Sequence, residues 1–243
     1  MEWIVTKDYK SMSDTAADMI VEEIKKNQHL CIALPTGGTP IGTLENLAAA
    51  YNERNLDYSK LRCFNIDEYV SLGKNHEQGY YYFLNDHLYS KTNIDLSKTY
   101  VPDVFAKDLE FEAELYEGMI QENGYFDLIL LGIGEDGHIG FNEPSIVHEA
   151  ICHVADLDNS TIDANARFFE NKTEVPKQAI TLGIGTILKA KKIILIANGK
   201  KKSDVIKKLA ITNEIDPKFP ASFLLTHPDV TIICDKEAVS CKE

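Results

Sequence analysis

The sequence lacks the features of a membrane protein, of a secreted protein and of a protein cross-linked by disulfides. No stretch approaches the roughly 18 consecutive apolar residues that a membrane-spanning helix needs. The first residues, Met-Glu-Trp-Ile-Val-Thr-Lys-Asp, lack the basic and apolar regions of a secretory signal. The five cysteines are scattered without the spacing of metal ligands, so we expect free thiols in a reducing cytoplasm.

Positive charge is also scarce. The 243 residues include 25 Lys and Arg but 38 Asp and Glu, which gives a formal net charge of −13 and argues against general binding of nucleic acid. The sequence shows no internal repeat, low-complexity tract or Pro- and Ser-rich linker. It therefore predicts a single domain over 1–243, and its 44% of hydrophobic residues are ample for a core.

Short apolar runs alternate along the chain with segments of helical periodicity. Helices are predicted at 13–26, with Ser13 as the N-cap, and at 40–55, 77–88, 107–123 and 201–211. Strands are predicted at 30–34, 61–66, 128–133, 150–155, 178–182, 192–197 and 230–234. This alternation is typical of an α/β fold with a mostly parallel sheet and helices on both faces.

The segment 127–144 contains the highest density of reactive side chains. A buried strand at 128–133 runs into a turn with four glycines, which indicates a close approach of the backbone to a ligand. The ionisable side chains of this turn are Glu135, Asp136, His138 and Glu143. Gly132, Gly134 and Gly137 also match the dinucleotide-binding fingerprint, but a Gly and a Pro follow where that fingerprint requires a helix.

Three predicted strands end in polar or glycine-rich segments. The strand 30–34 is followed by Thr-Gly-Gly-Thr (36–39), the strand 61–66 by Asp67, and the strand 128–133 by the glycine-rich turn. Because the carboxyl ends of parallel strands share one edge of a sheet, ligands bind there in open α/β folds. We therefore expect carboxylates, an imidazole and a glycine-rich turn to converge in an active site.

Two segments predict anion binding at helix N-termini. Gly37, Gly38 and Thr39 precede a helix and offer backbone N–H groups suited to phosphate, although the Lys of a Walker loop is missing. Three lysines, including Lys202, open the helix that follows 192–197, and a bound anion would relieve their conflict with the helix dipole. The alternatives are an ordinary tight turn and lysines that remain in water.

The acids and the histidine are candidate proton-transfer groups. A carboxylate of Asp136 or Glu143 could orient His138 for proton transfer. Asp67, beside Glu68, could act as a general base with a raised pKa. The alternatives are a loop held by Asx-turn hydrogen bonds and a helix-capping Asp67. Because no second His or Cys lies nearby at ligand spacing, no metal is expected.

A polar stretch at 158–169 ends in Arg167 followed by two phenylalanines. It predicts a mobile lid over the site, about 157–177, with one guanidinium able to reach a phosphate. A plain surface helix is the alternative.

Taken together, these motifs resemble the glucosamine-6-phosphate deaminase family, in order and over nearly the whole chain. They are Leu-Pro-Thr-Gly-Gly-Thr-Pro (34–40), Phe-Asn-Ile-Asp-Glu-Tyr (64–69), Leu-Gly-Ile-Gly-Glu-Asp-Gly-His-Ile-Gly-Phe-Asn-Glu-Pro (131–144), Asn-Ala-Arg-Phe-Phe (165–169), Thr-Leu-Gly-Ile-Gly-Thr (181–186) and Pro-Ala-Ser-Phe-Leu (220–224). The resemblance implies a Rossmann-like, mostly parallel sheet. It also implies conversion of glucosamine 6-phosphate and water to fructose 6-phosphate and ammonia, in amino-sugar catabolism and without a metal or organic cofactor.

The resemblance also implies a role for each matching position. Asp67 resembles the proton acceptor that acts at C2 and C1 of the sugar. Three residues resemble the trio that opens the pyranose ring: Asp136, His138 and Glu143. Five residues resemble the phosphate-binding set: Gly37, Gly38, Thr39, Arg167 and Lys202. The implied partner is a small sugar phosphate, with no nucleic acid and no membrane.

The chain departs from the family pattern in two places. Long members carry a basic allosteric pocket for N-acetylglucosamine 6-phosphate just after Asn-Glu-Pro, whereas 145–155 here contains no Arg or Lys. The longer C-terminal tail of those members is also missing. We therefore expect a short, non-allosteric form that is a monomer or a small homo-oligomer.

Three alternative functions remain open from the residues. 6-Phosphogluconolactonase resembles this fold and shares Gly-x-Asp-Gly-His, but it lacks the Phe-Asn-Glu-Pro continuation, so Glu143 favours the deaminase. An epimer such as galactosamine 6-phosphate is a second possible substrate. A sugar-phosphate-sensing module of a transcriptional regulator is the third alternative, and it is disfavoured because no basic helix-turn-helix segment precedes residue 30.

Overall fold

Strands and helices alternate along the chain in the computed structural model, which describes residues 1–158, 161–163, 166 and 169–240. The strands are β1 (Glu2–Thr6), β2 (Cys31–Leu34), β3 (Arg62–Asn65), β4 (Asp67–Tyr69), β5 (Thr99–Tyr100), β6 (Leu128–Leu131), β7 (His153–Asp156), β8 (Gln178–Thr181), β9 (Ile193–Ala197) and β10 (Val230–Asp235). The helices are α1 (Tyr9–Lys26), α2 (Ile41–Glu53), α3 (Tyr80–His87), α4 (Leu109–Glu122), α5 (Ile184–Leu188), α6 (Ser203–Ile211) and α7 (Lys236–Val239).

The large sheet consists of strands that run in the same direction. Within the described residues it has seven strands, in the order β1–β10–β9–β6–β2–β3–β5, and its pairings are parallel. Its central strand β6 is buried throughout. Ile129 and Leu131 pack in one core cluster and Leu128 and Leu130 in the other, because successive side chains of a strand point to opposite faces.

Helices cover both faces of this sheet, which confirms the predicted α/β architecture. The apolar faces of α1 and α2 contribute to one core cluster. The apolar faces of α4, α5 and α6 contribute to the other. Among the described helices, none has both the length and the apolar character that crossing a bilayer would require.

A second, smaller sheet is a feature that the sequence pattern did not indicate. It consists of β4, β8 and β7 in antiparallel pairing, with Asp67 opposite Thr181. Ile66 joins the two sheets, because its N–H donates to the carbonyl of Leu34 and its carbonyl accepts from the N–H of Leu182. The chain therefore leaves the parallel sheet at residue 66, and Asp67 lies where the two sheets meet.

The predicted N-cap of the first helix is wrong. Helix α1 begins at Tyr9, and the Asp8 carboxylate caps it by accepting from the N–H of Ser11 at 2.8 Å. Ser13 is buried inside the helix instead. The helix predicted from residue 40 is confirmed as α2, with Pro40 at its N-cap. Strands β1, β4 and β5 were not predicted, and the last two are only three and two residues long.

Candidate active site

The loop after β6 is folded tightly by its own backbone. The N–H of Gly134 donates to the carbonyl of His138 at 2.9 Å, and the N–H of Gly137 donates to the carbonyl of Gly134 at 3.2 Å. The N–H of His138 donates to Asp136 at 3.1 Å. No helix begins at Gly137, so the loop does not have the geometry that a dinucleotide-binding fingerprint requires.

Two glycines of this loop are required by close packing. A Cβ atom on Gly134 would meet the ring of His138 and the carboxylate of Asp136. Gly137 has a φ of 99°, and a Cβ atom there would meet the ring of the buried Phe219. The N–H of Ala221 also donates to the carbonyl of Gly137 at 2.9 Å. The segment from Phe219 to Ala221 therefore packs against the loop after β6 and forms a hydrogen bond with it.

Asp136, His138 and Glu143 lie together, as predicted. The Nδ1 atom of His138 lies 2.8 Å from Oδ1 of Asp136 and 3.2 Å from Oε2 of Glu143. Both are ion-pair contacts, and Nδ1 has no hydrogen-bond partner among the described residues. Both carboxylates lie against Nδ1, which leaves Nε2 of the imidazole for proton transfer to a ligand.

The two carboxylates strongly favour the protonated imidazole. Burial opposes the charge on His138, but the contacts with Asp136 and Glu143 outweigh it and raise the pKa of His138 to about 9. Burial likewise opposes ionisation of Asp136, but the contacts with His138 prevail and hold the pKa of that carboxyl well below its usual range. At neutral pH this cluster therefore contains an imidazolium that can donate a proton.

The same three side chains are placed closely enough to be considered as a metal site. Their donor atoms lie within 4.8 Å of one another. The raised pKa of His138 means that a proton competes strongly with any cation at Nδ1. The chemistry of the cluster thus favours an acid–base role, and the absence of a metal from the reaction stays a prediction.

Asp67 is buried at the junction of the two sheets, with 8% of its surface exposed. Burial raises the pKa of Asp67 to about 8, the neighbouring Glu68 carboxylate adds to the rise, and the charge of His138 opposes it. A carboxyl group whose pKa lies near neutrality is suited to accept and return a proton. The expected raised pKa is therefore present at this position.

Glu68 has a structural task that the sequence reasoning missed. Its carboxylate accepts from the N–H groups of Tyr80 and Tyr81, the first residues of α3, each at 2.8 Å, and from the N–H of Tyr69 at 2.9 Å. Burial raises the pKa of Glu68 to about 7, and these three N–H groups oppose the rise. The helix cap expected as an alternative role for Asp67 is thus supplied by its neighbour.

The predicted anion-binding segments meet at the same edge of the sheet. Thr39 Oγ1 donates to Asn198 Oδ1 at 2.7 Å and so joins the loop after β2 to the loop after β9. Lys202 Nζ donates to the carbonyl of Ile133 at 2.6 Å, at the start of the loop after β6. Gly37 has a φ of 96°, and a Cβ atom on Gly37 or Gly38 would meet nothing within 4 Å. The backbone there faces open space that a ligand can enter.

Tyr9 is a second residue that the sequence did not reveal. Its hydroxyl accepts from the N–H of Gly42 at 2.8 Å and lies 3.3 and 3.2 Å from the carbonyl oxygens of Gly38 and Thr39. It thereby holds the loop after β2 against α1. No motif surrounds Tyr9, so only the tertiary contact identifies this role.

One predicted phosphate ligand and part of the predicted lid lie outside the described residues. Arg167 lies outside the described residues, as do 159–160, 164–165 and 168 within the predicted lid of 157–177. Thr161, which belongs to the same segment, is described and buried, and its hydroxyl donates to Oε1 of Glu143 at 2.5 Å. This contact was not foreseen from the sequence.

Comparison with known proteins assigns the chain to a family. A family model described as glucosamine-6-phosphate isomerases/6-phosphogluconolactonase matches residues 7–233. The chain belongs to this family. A relative named glucosamine-6-phosphate deaminase from Clostridium perfringens is 46% identical over 238 residues, which cover 98% of both chains. Another of that name from Thermoanaerobacter pseudethanolicus is 44% identical over 240 residues, which cover 99% of this chain and 94% of the relative.

Solved structures agree with this assignment. A monomeric glucosamine-6-phosphate deaminase superposes with a TM-score of 0.97 at 38% sequence identity, over 100% of both chains. 6-Phosphogluconolactonase from Trypanosoma cruzi superposes with a TM-score of 0.77 at 27% identity, over 98% of this chain and 95% of that protein. The resemblance to the deaminase is therefore higher in both sequence and structure.

Proposed function

We infer that the protein converts glucosamine 6-phosphate and water to fructose 6-phosphate and ammonia. The observation that carries this conclusion is a buried carboxyl, Asp67, that lies within the electrostatic influence of His138, whose imidazolium is held by two carboxylates. The similarity to deaminases over the whole chain supports it. This chemistry places the enzyme in amino-sugar and carbohydrate metabolism.

Ring opening is the first step, and we assign it to His138. In the pyranose, the bond between C1 and the ring oxygen must break, the C1 hydroxyl must lose its proton, and the ring oxygen must gain one. An imidazolium with a pKa of about 9 can protonate the ring oxygen. Asp136 and Glu143 hold this charge and orient Nε2 towards the sugar.

Proton transfer between carbons follows in the open chain, and we assign it to Asp67. The ionised carboxylate removes the proton from C2, and the aldehyde oxygen at C1 gains a proton in place of the one that the C1 hydroxyl released on ring opening, which gives an enolamine with a C1–C2 double bond. Return of the proton to C1 gives an imine at C2. Water then hydrolyses this imine to the ketone and releases ammonia. One base on one face suffices for both proton transfers, in agreement with a single buried Asp67.

The phosphate group of the sugar is assigned to the open edge of the parallel sheet. Gly37, Gly38 and Thr39 would bind it through backbone N–H groups and a hydroxyl, and Lys202 would bind it through its ammonium group. Arg167 is proposed as a further phosphate ligand on the sequence resemblance alone. The lid over about 157–177 is proposed on the same basis.

Lactone hydrolysis is the second candidate, since a lactonase shares 27% of its residues with this chain. That reaction needs attack of water on an ester and no base at carbon. A buried base such as Asp67 could also activate that water, so the deaminase is favoured instead by its higher identity to this chain, 46% against 27% for the lactonase. The test is to measure ammonia release from glucosamine 6-phosphate and hydrolysis of 6-phosphogluconolactone with the same preparation. Lactone hydrolysis without ammonia release would overturn the proposal.

The oligomeric state and the cellular location of the protein are two further proposals. We propose a monomer, supported by the monomeric deaminase that superposes over the full chain. A cytoplasmic location fits a phosphorylated substrate and four buried cysteines with free thiols, Cys31, Cys63, Cys152 and Cys234. Activity on galactosamine 6-phosphate is to be compared directly with that on glucosamine 6-phosphate.

A further inference from the structure

The contact between Thr161 and Glu143 joins the segment around residue 161 to the loop that follows β6. Thr161 Oγ1 donates to Glu143 Oε1 at 2.5 Å, across 18 positions. Thr161 is 7% exposed and the Glu143 side chain 12% exposed. A short hydrogen bond from a buried hydroxyl to a carboxylate is stronger than one between neutral groups.

The two oxygens of Glu143 have different partners. Oε1 accepts from Thr161, and Oε2 lies 3.2 Å from Nδ1 of His138. The terminal torsion of a glutamate side chain is broad, so the carboxylate would otherwise rotate through a wide range. Because the carboxylate is planar, a bond that fixes Oε1 also fixes the direction of Oε2.

The backbone on each side of this contact is anchored independently. Asn142, which precedes Glu143, is buried and donates from its side chain to the carbonyls of Ile139 and Leu182. Ile162, which follows Thr161, packs against a cluster that includes Tyr69 and Phe141. The hydroxyl and the carboxylate are thus brought together by packing that does not depend on their own hydrogen bond.

We propose that Thr161 is a positioning residue for ring opening, whose hydroxyl holds Glu143 so that its second oxygen faces His138. The proposal rests on the ring-opening role inferred for His138. Thr161 does not act on the sugar, and its contribution passes through Glu143. Its removal is therefore expected to slow the step that uses the imidazolium and to leave the later proton transfer by Asp67 unchanged.

The test compares Thr161→Val with Thr161→Ser. Valine keeps the shape but replaces the hydroxyl by a methyl group, whereas serine keeps the hydroxyl. Hydrogen bonds to charged groups correspond to roughly 10–150-fold in an equilibrium or rate. We expect Thr161→Val to lower kcat on glucosamine 6-phosphate by about 10-fold or more with KM nearly unchanged. Thr161→Ser is expected to retain most of the activity.

A second substrate separates positioning from general damage. An analogue without the C4 and C5 hydroxyls cannot close a pyranose or furanose ring and enters the reaction as the open chain. Thr161→Val should process this analogue at nearly the wild-type rate. Equal losses on both substrates, an unchanged kcat on the cyclic sugar, or a serine variant as impaired as the valine variant would each overturn the proposal.

A double-mutant cycle checks that Thr161 acts through Glu143. Adding Thr161→Val to Glu143→Gln should cause little further loss, and full additivity would contradict the proposal. If the valine variant fails to fold, Thr161→Ala makes the same comparison. Wild-type ammonia release is measured first: its absence refutes the proposed function, whereas its presence with an unaffected Thr161→Val refutes this inference alone.

Discussion

The two sheets contribute opposite environments to one site. The parallel sheet ends in loops that leave backbone open: Gly38 is exposed, and Gly37, Thr39 and Lys202 are half-buried. The small antiparallel sheet begins with Asp67, which is almost fully buried. An anion is bound well by exposed N–H groups and a flexible lysine, whereas a carboxyl group must be desolvated before its pKa approaches neutrality. The comparison shows why the proposed phosphate-binding groups lie at the parallel sheet, whereas the buried carboxyl of Asp67 lies at the antiparallel sheet.

The substitution with the largest expected effect is Asp67→Asn, which tests the buried carboxyl at the antiparallel sheet. The amide keeps the shape of the side chain but cannot accept a proton, so kcat should fall by at least about 10²–10⁴-fold while substrate binding is largely kept. The measurements are ammonia release and a titration with substrate. Asp86→Asn, at an exposed position on α3, is the control. Near-wild-type turnover of Asp67→Asn would remove Asp67 from its role.

His138→Gln tests the loop that both sheets approach. Loss of the imidazolium should slow ring opening by about 10²-fold or more, and activity should partly recover on an analogue that is already open-chain. Rates on the two substrates are compared by ammonia release, with His29→Gln at an exposed position as the control. Equal losses on both substrates would assign His138 to a later step or to structure.

Lys202→Ala tests the proposed phosphate site in the loops at the edge of the parallel sheet. A charge-assisted contact to phosphate corresponds to roughly 10–150-fold, so KM should rise by such a factor while kcat changes less. The neighbouring Lys201→Ala is the matched control, since Lys201 is exposed. Arg167→Ala should also raise KM, with a fall in kcat if it closes a lid. Unchanged KM values for Lys202→Ala and Arg167→Ala would place the phosphate elsewhere.

The pH profile of kcat/KM tests whether burial raises the pKa of Asp67. Asp67 must be ionised to act as a base, so the rate should rise about tenfold per pH unit up to its pKa of about 8 and then level off. His138 must be protonated, so the rate should fall above its pKa of about 9. Glu68→Gln should move the rising limb to lower pH, because the Glu68 carboxylate raises the pKa of Asp67. A rising limb near pH 4 would contradict the burial argument.

The smallest expected effect is the response to N-acetylglucosamine 6-phosphate. Allosteric activation requires a second site with different affinity for two states, and the segment 145–155 has no Arg or Lys for the phosphate of an effector. Its His148 is engaged instead, with Nε2 lying 2.7 Å from the carbonyl of Pro217. We expect hyperbolic kinetics without activation. A sigmoidal rate curve that becomes hyperbolic on adding the effector would refute this expectation.

The convergence of the site could be predicted from the sequence because it depends on a simple rule of parallel sheets. Thr39, Asp67 and His138 each follow an apolar run, and the carboxyl ends of those runs share one edge. The environment of Asp67 could not be predicted in the same way. It depends on the pairing of Asp67 with Thr181 and on the capping of α3 by Glu68, and neither contact has a local signal.

Local rules also fail where two residues compete for one task. Asp8 and Ser13 are both good N-caps for α1, and the helix begins after Asp8 because its carboxylate reaches the N–H of Ser11. The strands near 150–155 and 178–182 were expected from their apolar character. Their antiparallel sheet, in which β8 pairs with β4 and β7 pairs with β8, depends on the turn at Ile66, which the sequence does not mark.

The pairing of β1 with β10 has a consequence for how the protein is made. Thr6 Oγ1 donates to the carbonyl of Cys234, a contact that spans 228 positions. Such distant partners make folding slow, because a long loop must close before the contact stabilises anything. A ribosome releases the chain from its amino end, so β1 stays without its partner until β10 has been synthesised. During that interval the nascent chain exposes a strand edge to its neighbours.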